Sequence, residues 1–439
     1  MKEKYRKLIW GILVIIVFAI ALVLRLYPFS GLSSQDPNPV VLVSDSFVYT
    51  ALAYNIFKGQ GYSITGPQDK NPTARPFFNR PPGYPYFMAM VFALFGKSHR
   101  FDILRVVCII QGVLDAFCCI LIFFIATTIY PRSPLPAFIS ALIYSLSPYN
   151  LYYTQVVLTE SLASFLLAVF ALCAVKALDK KGLRWFFYAG LFLGFVILTR
   201  AEYLLYALVF VAILWFINRI NTKYALKSIV GYLCGVLIVL SPWSIRNYAL
   251  SKRMIPVSLG AVDMSFYMGT FEKHSAWKGY KAIPDTDFID QSEKQEFLGI
   301  HQSYLKVFME GNLRDIIALE KRCRVLTWRR ICFMPAKVFK NWFSKIPSLW
   351  YQFYTPLYRG EPDGRLFALF FLLACCAFIA ARGIERMFMA LPVSLFAYIT
   401  IIFIPLYVEP RYIVPLIPLV ITLSGIGLAK ALNFILGDK

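Results

Sequence analysis

The sequence predicts an all-α polytopic membrane protein with about ten transmembrane helices, and three observations predict it. Hydrophobic residues make up 59% of the 439 and charged residues only 16%, at a mean hydropathy of +0.61. A soluble domain runs nearer half apolar and a quarter charged, so the apolar surplus needs a non-aqueous surrounding. The apolar residues gather into long runs almost free of charge. The basic residues between those runs assign each short loop to a side of the bilayer.

The runs lie at 8–26, 103–129, 135–150, 157–178, 184–199, 203–219, 227–244, 365–381, 387–405 and 412–430. Crossing the hydrocarbon layer takes roughly 20 apolar residues, so the shorter runs need a thin bilayer or snorkelling ends. The first follows Lys2, Lys4, Arg6 and Lys7 and lacks a small-x-small cleavage site before Pro28, which reads as an uncleaved anchor. Tyr84 to Gly96 is apolar but too short to span, and Pro81, Pro82 and Pro85 mark its start, so an interfacial or re-entrant helix is expected. If that helix does not cross, Lys180, Lys181, Arg219, Lys223, Lys227, Arg382, Arg386, Lys430 and Lys439 fall on the cytoplasmic side together with both termini. If it does cross, the basic loops fall outside. The first topology is therefore expected, in a plasma membrane, with ten spans.

This topology leaves two long external segments. The first, 28–102, contains a helical stretch from Ser44 to Lys58, which Ser44 can cap and on which Ala51, Leu52, Tyr54 and Ile56 form an apolar side for the membrane. The second is 245–364. Its half from 306 to 345 carries ten basic and three acidic residues among Phe308, Trp328, Phe333, Phe339, Trp342 and Phe343. That mixture suits helices lying beside anionic headgroups, and equally the solvated face of a small external domain. Three units result: an N-terminal transmembrane module at 1–248, the external segment at 249–364, and C-terminal transmembrane helices at 365–439.

Forty-five Lys and Arg against 24 Asp and Glu give a net charge of +21. In a membrane protein this points to anionic lipids or a phosphorylated substrate rather than nucleic acid. Seven of the nine cysteines lie in apolar runs as small buried hydrophobes; only Cys323 and Cys332 lie in a polar segment where a disulfide is open to them. Three histidines, without His-Glu-x-x-His or Cys-x-x-Cys, name no metal site. No cofactor is firmly implied, and a divalent cation stays open.

With the cytoplasmic loops fixed, Asp45, Arg80, Glu160, Arg200, Arg246 and Arg411 all fall at the external face. Charges converging at one membrane face describe a site. Each also has a plainer reading. Asp45 sits in the first turn of its helix, where it complements the dipole. Arg80 precedes a rigid Pro-Pro-Gly turn and could snorkel to headgroups; Glu160 could cap a span; Arg200 and Glu202 could form a local pair. Asp115, beside Gln111 in mid-span, is expected to bond between helices.

The ordered set changes the balance. Arg80-Pro-Pro-Gly-Tyr-Pro after a helix opened by an Asp, Thr159-Glu160 between spans, Leu-Thr-Arg200, Pro-Trp-x-Ile-Arg246-Asn247-Tyr and Pro-Arg411-Tyr-x-x-Pro together resemble glycosyltransferase family 39. These are membrane C-type glycosyltransferases, including protein O-mannosyltransferases and the lipid A aminoarabinose transferase. Many members carry Asp-Glu where this chain has Asp45-Ser46. The resemblance implies the C-type fold and a polyprenyl-phosphate-linked sugar donor at the external face. It also implies a protein, lipid or glycan acceptor.

Inverting transfer to a hydroxyl needs a base for the acceptor proton and cations for the departing phosphate. Asp45 suits the base and Glu160 the second carboxylate. Arg80 and Arg411 suit the phosphate, with Arg200 and Arg246 as further members. Tyr84, Tyr153 and Asn247 are the candidates for substrate contact. The competing class is a transporter or lipid flippase for a phosphorylated lipid or glycan, which would place ionisable groups and broken helices near the midplane, often in paired repeats.

Overall fold

The computed structural model describes residues 2–30, 39–64, 75–96, 100–180, 182–218, 220–260, 262–271, 288–310, 313–351 and 365–435. Lys181, Arg219 and Lys439, used above to orient the loops, lie outside them. The chain is built from helices α1 (Lys2–Leu26), α2 (Ser44–Phe57), α3 (Gly83–Phe95), α4 (Arg100–Ile129), α5 (Leu135–Ser145), α6 (Pro148–Thr154), α7 (Glu160–Lys180), α8 (Leu183–Thr199) and α9 (Tyr206–Asn218). They continue as α10 (Thr222–Ser251), α11 (Val262–Gly269), α12 (Gln291–Glu310), α13 (Leu313–Phe333), α14 (Pro335–Ser344), α15 (Ile346–Tyr351), α16 (Arg365–Ala380), α17 (Gly383–Phe403) and α18 (Ile417–Ile435).

Among the described residues, six helical stretches are long and apolar enough to cross a membrane: Leu8–Phe29, Ile103–Ile129, Glu160–Lys180, Thr222–Ser251, Gly383–Phe403 and Arg411–Asn433. The expected runs at 135–150, 184–199, 203–219 and 365–381 fold as shorter apolar helices. The first of these is cut by Ser147-Pro148. Proline cannot continue a helix but readily starts one, so α5 stops at Ser145 and α6 begins at Pro148. Thirteen-residue α3 rises about 20 Å, well short of the roughly 30 Å hydrocarbon layer.

A continuous buried core runs from Val17 in α1 to Ile426 in α18, so the C-terminal helices pack into the same interior as the N-terminal ones. Helices α8 and α10 cross at glycines. A Cβ on Gly190 would lie 1.9 Å from the Tyr232 carbonyl, and one on Gly235 would lie 2.2 Å from that of Phe187. Helix association in lipid relies on such close backbone approach, since burial from water contributes little there.

Asp115 is bonded between helices as expected, but to a charged partner that the sequence hid inside the first run. Arg25 donates through Nε to Asp115 Oδ2 at 2.6 Å, and Tyr144 Oη–H donates to Oδ1 at 2.6 Å. Arg25 also donates through Nη1 to the Ser145 carbonyl, one of the acceptors left over where α5 ends. Both charges are essentially unexposed. Removing one partner of such a pair strands the other, so Arg25→Met should cost about 3–5 kcal/mol. Thermal unfolding in detergent measures it, and Arg25→Met with Asp115→Leu should recover most of the loss.

A second, smaller core joins α11, α12 and α13 through Met264, Tyr267, Phe271, Phe297, Leu319, Cys323 and Leu326. Cys323 and Cys332 are both free. They sit nine positions apart on α13, roughly 13 Å along its axis, which no disulfide bridges. In this segment Trp328, Phe333, Phe339 and Phe343 are exposed.

Candidate active site

The chain brings Asp45 to Glu160 by pairing the segments that precede their helices. Val41 N–H donates to the Gln155 carbonyl at 2.9 Å, and Val157 N–H donates to the Val41 carbonyl at 3.1 Å. Ser44 is not the cap expected of it: it is the first residue of α2. Ser46 supplies the cap instead, its buried Oγ accepting from Val43 N–H at 3.0 Å. The position that departs from Asp-Glu thus closes the helix start. The apolar side of α2 is also redistributed: Leu52 is buried, while Phe47, Tyr54 and Phe57 are exposed.

Gly83 brings the Arg80 turn onto the end of α8. A Cβ there would lie 2.6 Å from Thr199 Oγ1 and 2.8 Å from the Leu198 carbonyl. Only glycine permits this approach, and Arg200 follows directly. On the far side, Ser164 of α7 donates to the Val414 carbonyl at 3.3 Å, anchoring the short 3-10 helix Pro410–Leu416 that carries Arg411.

The result is a chain of alternating charges. Arg80 Nη2 donates to Asp45 Oδ1 at 2.6 Å, and Arg411 Nη2 donates to Asp45 Oδ2 at 2.9 Å. Arg411 Nε pairs with Glu409 and lies 4.0 Å from Glu160 Oε1. Arg200 donates to Glu160 Oε1 at 3.3 Å and to Glu202 Oε1 at 2.6 Å, and Thr159 Oγ1 accepts from it at 3.3 Å. Exposure grades along the network. The Arg80 and Asp45 side chains are 27% and 19% exposed, whereas Arg200 and Glu160 are 7% and 3%. Arg80 and Asp45 form one open edge, Glu202, at 23%, reaches the surface beyond Arg200, and Glu160 with Arg200 forms the floor.

Burial pushes the Asp45 carboxyl up, but Arg80 and Arg411 outweigh it and hold the group down at about 2. Glu409 goes the other way, raised by burial against the pull of Arg411. Tyr407 Oη–H also donates to Glu409, at 3.2 Å. The local pair expected of Arg200 and Glu202 forms within the network, whereas Glu409 was not selected, although it stands two residues from Arg411.

The structure brings Asp45, Arg80, Glu160, Arg200 and Arg411 together and places the other candidates elsewhere. Arg246 donates to the carbonyls of Phe77 and Tyr62 at 3.2 and 2.9 Å, and its guanidinium lies 4.7 Å over the Trp243 ring. Asn247 donates to the carbonyls of Ile255 and Val257, both at 3.0 Å. These two fasten the segments at Tyr62 and Phe77 and at Ile255 and Val257 to α10. Tyr84 is fully buried and donates to Gln111 Oε1 at 2.5 Å. Tyr153 is buried beside Tyr149 and Tyr152. Among the described residues, no group of three or more His, Cys, Asp or Glu is placed to hold a metal ion.

Comparison with known proteins bears out the family resemblance. Residues 79–245 match the profile of the dolichyl-phosphate-mannose-protein mannosyltransferase family. That stretch holds Arg80, Glu160 and Arg200; Asp45 and Arg411 lie outside it. No curated protein matches the chain. The archaeal oligosaccharyltransferase AglB from Archaeoglobus fulgidus, in complex with an inhibitory peptide and a dolichol-phosphate, matches with a TM-score of 0.56 at 13% identity. The alignment covers 99% of this chain and 53% of that one. The apo form of the Archaeoglobus fulgidus oligosaccharyltransferase gives 0.57 at 12% identity, over 97% and 51%. The chain thus spans about half the length of these relatives, and the likeness is one of fold. ArnT from Cupriavidus metallidurans, bound to undecaprenyl phosphate, aligns at a TM-score of only 0.37 and 12% identity, over 97% of this chain and 77% of that one.

Proposed function

We propose that this protein is a C-type membrane glycosyltransferase. It moves a sugar from a polyprenyl-phosphate-sugar donor to an acceptor hydroxyl or phosphate at the external membrane face, with inversion. The observation that carries the reading is the Asp45 carboxylate held between the guanidinium groups of Arg80 and Arg411. This places a proton acceptor against two forked phosphate binders, the pairing that the reaction needs. The family profile and the fold support the same class.

For a hydroxyl acceptor, its oxygen bonds to the anomeric carbon as the bond from that carbon to the phosphate oxygen breaks. The electron pair of the broken bond leaves with the polyprenyl phosphate, and the acceptor proton passes to Asp45. Arg80 and Arg411 stabilise the charge gathering on the phosphate, strongly so where water is excluded. Glu160 and Arg200, on the buried floor, orient the sugar or the acceptor. The acceptor is a protein, lipid or glycan group.

In this proposal the protein resides in the plasma membrane. Residues 1–248 form the N-terminal part of the catalytic module and 249–364 the external segment, while 365–439 supply the closing helices and Arg411. The exposed aromatics of α13 and α14, with exposed Lys337 and Lys340, rest against anionic lipid. The transporter reading is not favoured, because its mid-span anchor, Asp115, is bound to Arg25 and Tyr144 as a lock between helices.

Two measurements test the proposal. In membranes carrying the protein, label should reach an acceptor from a polyprenyl-phosphate sugar; transfer from a nucleotide sugar after polyprenyl phosphate has been removed would overturn the donor class. For orientation, cysteines introduced at Lys180 and Lys223 should be protected from an impermeant external reagent. One at Asn71, which lies outside the described residues, should react. The opposite pattern would move the site to the cytoplasmic face.

A further inference from the structure

We infer that Asp45 occupies the place of the donor phosphate in the resting site, and that the incoming phosphate displaces its carboxylate from Arg80 and Arg411 before transfer. This rests on the donor class proposed above. The geometry is that of a substitute ligand: one planar anion offers one oxygen to each of two arginines, at 2.6 and 2.9 Å. A phosphate bridging the same guanidinium groups would use two of its oxygens in the same way.

The crowding of groups favours an exchange. Among the described residues, the four carboxyl groups of Asp45, Glu160, Glu202 and Glu409 meet the three guanidinium groups of Arg80, Arg200 and Arg411. A phosphodiester donor adds a further anion to these arginines and takes the place that one carboxylate gives up. Glu160 and Arg200 are buried, and Glu202 is fastened to Arg200 from the adjoining turn. Glu409 stands two residues from Arg411 on the same segment. Asp45 and Glu160 each belong to another helix than their partners, and of the two only Asp45 stands at the open edge. It is the carboxylate that yields.

The exchange also solves the difficulty of using Asp45 as a base. Paired with two arginines, a carboxylate has little affinity for a proton. Released from them beside a bound phosphate, it gains that affinity when the acceptor arrives. Taking the acceptor proton then neutralises it, so it no longer competes for the arginines as the leaving phosphate acquires its second charge. Donor must therefore bind before acceptor.

The test is the binding of undecaprenyl phosphate, which lacks the sugar, to the full-length protein in detergent. Wild type would be compared with Asp45→Asn, Asp45→Ser and Arg80→Gln. Freed of the internal anion, the two Asp45 variants should bind about tenfold more tightly, and Arg80→Gln about tenfold more weakly. Unchanged or weaker binding in both Asp45 variants, with Arg80→Gln still impaired, would overturn the exchange and leave the donor reading standing. Equal binding in all four proteins would place the phosphate elsewhere and remove both the exchange and the phosphate role of Arg80, whereas no binding to any of them would count against the donor class itself. If neither Asp45 variant folds, the carboxylate is a structural pin that the arginines cannot release, and the exchange is again overturned.

Discussion

Asp45→Asn is expected to lower turnover by about 10²-fold or more, the usual cost of removing a positioned base. The substitution keeps the shape of the side chain and one acceptor oxygen for an arginine, so expression and membrane insertion should survive. Single-turnover transfer from a labelled donor is the suitable measurement, because it separates the chemical step from donor binding and product release. Wild-type turnover in Asp45→Asn would return the residue to the role of complementing the dipole of α2. The loss should appear in the chemical step, since the arginines that hold the phosphate remain in place.

Arg80→Lys and Arg411→Lys should each lower turnover by about tenfold to a hundredfold, with a smaller loss in donor affinity. A lysine keeps the charge but presents a point donor where the arginine offers a fork, so it cannot hold two oxygens in fixed geometry. The split between turnover and affinity follows if these arginines act chiefly on charge that develops as the phosphate leaves. Lys337→Ala and Lys340→Ala, on exposed positions of α14, supply the contrast and should change transfer little. Steady-state kinetics across a donor titration gives both constants for all four variants. A silent Arg80→Lys beside a crippling Lys337→Ala would move the phosphate to the basic external segment.

The sequence carried the site's ingredients further than its assembly. Asp45, Arg80, Glu160, Arg200 and Arg411 could be selected because a charge at the end of an apolar run is costly and conspicuous, and the family motifs preserved their order. Arg246 was selected by the same rule, and the structure uses it to bind the carbonyls of Phe77 and Tyr62. Nothing in a linear pattern separates an arginine that waits for a phosphate from one that fastens a loop. Both stand at the ends of apolar helices; only the partners differ.

Arg25 was missed for a related reason. It lies near the end of an apolar run, where snorkelling is the ordinary expectation, and its partner Asp115 is ninety positions away. The short helices have a local explanation that was visible in retrospect at Ser147-Pro148, whereas the close crossing of α8 and α10 depends on two glycines meeting across different helices. The sequence shows the glycines but not their meeting.

The most direct measurement is an experimental structure of the full-length protein with a polyprenyl phosphate bound in a lipid environment. The phosphorus should lie within two-pronged reach of Arg80 and Arg411, with the Asp45 carboxylate turned away from at least one of them. Phosphate bound instead against Lys337 and Lys340 on α14, with the Asp45 pairing to Arg80 and Arg411 unchanged, would contradict this placement.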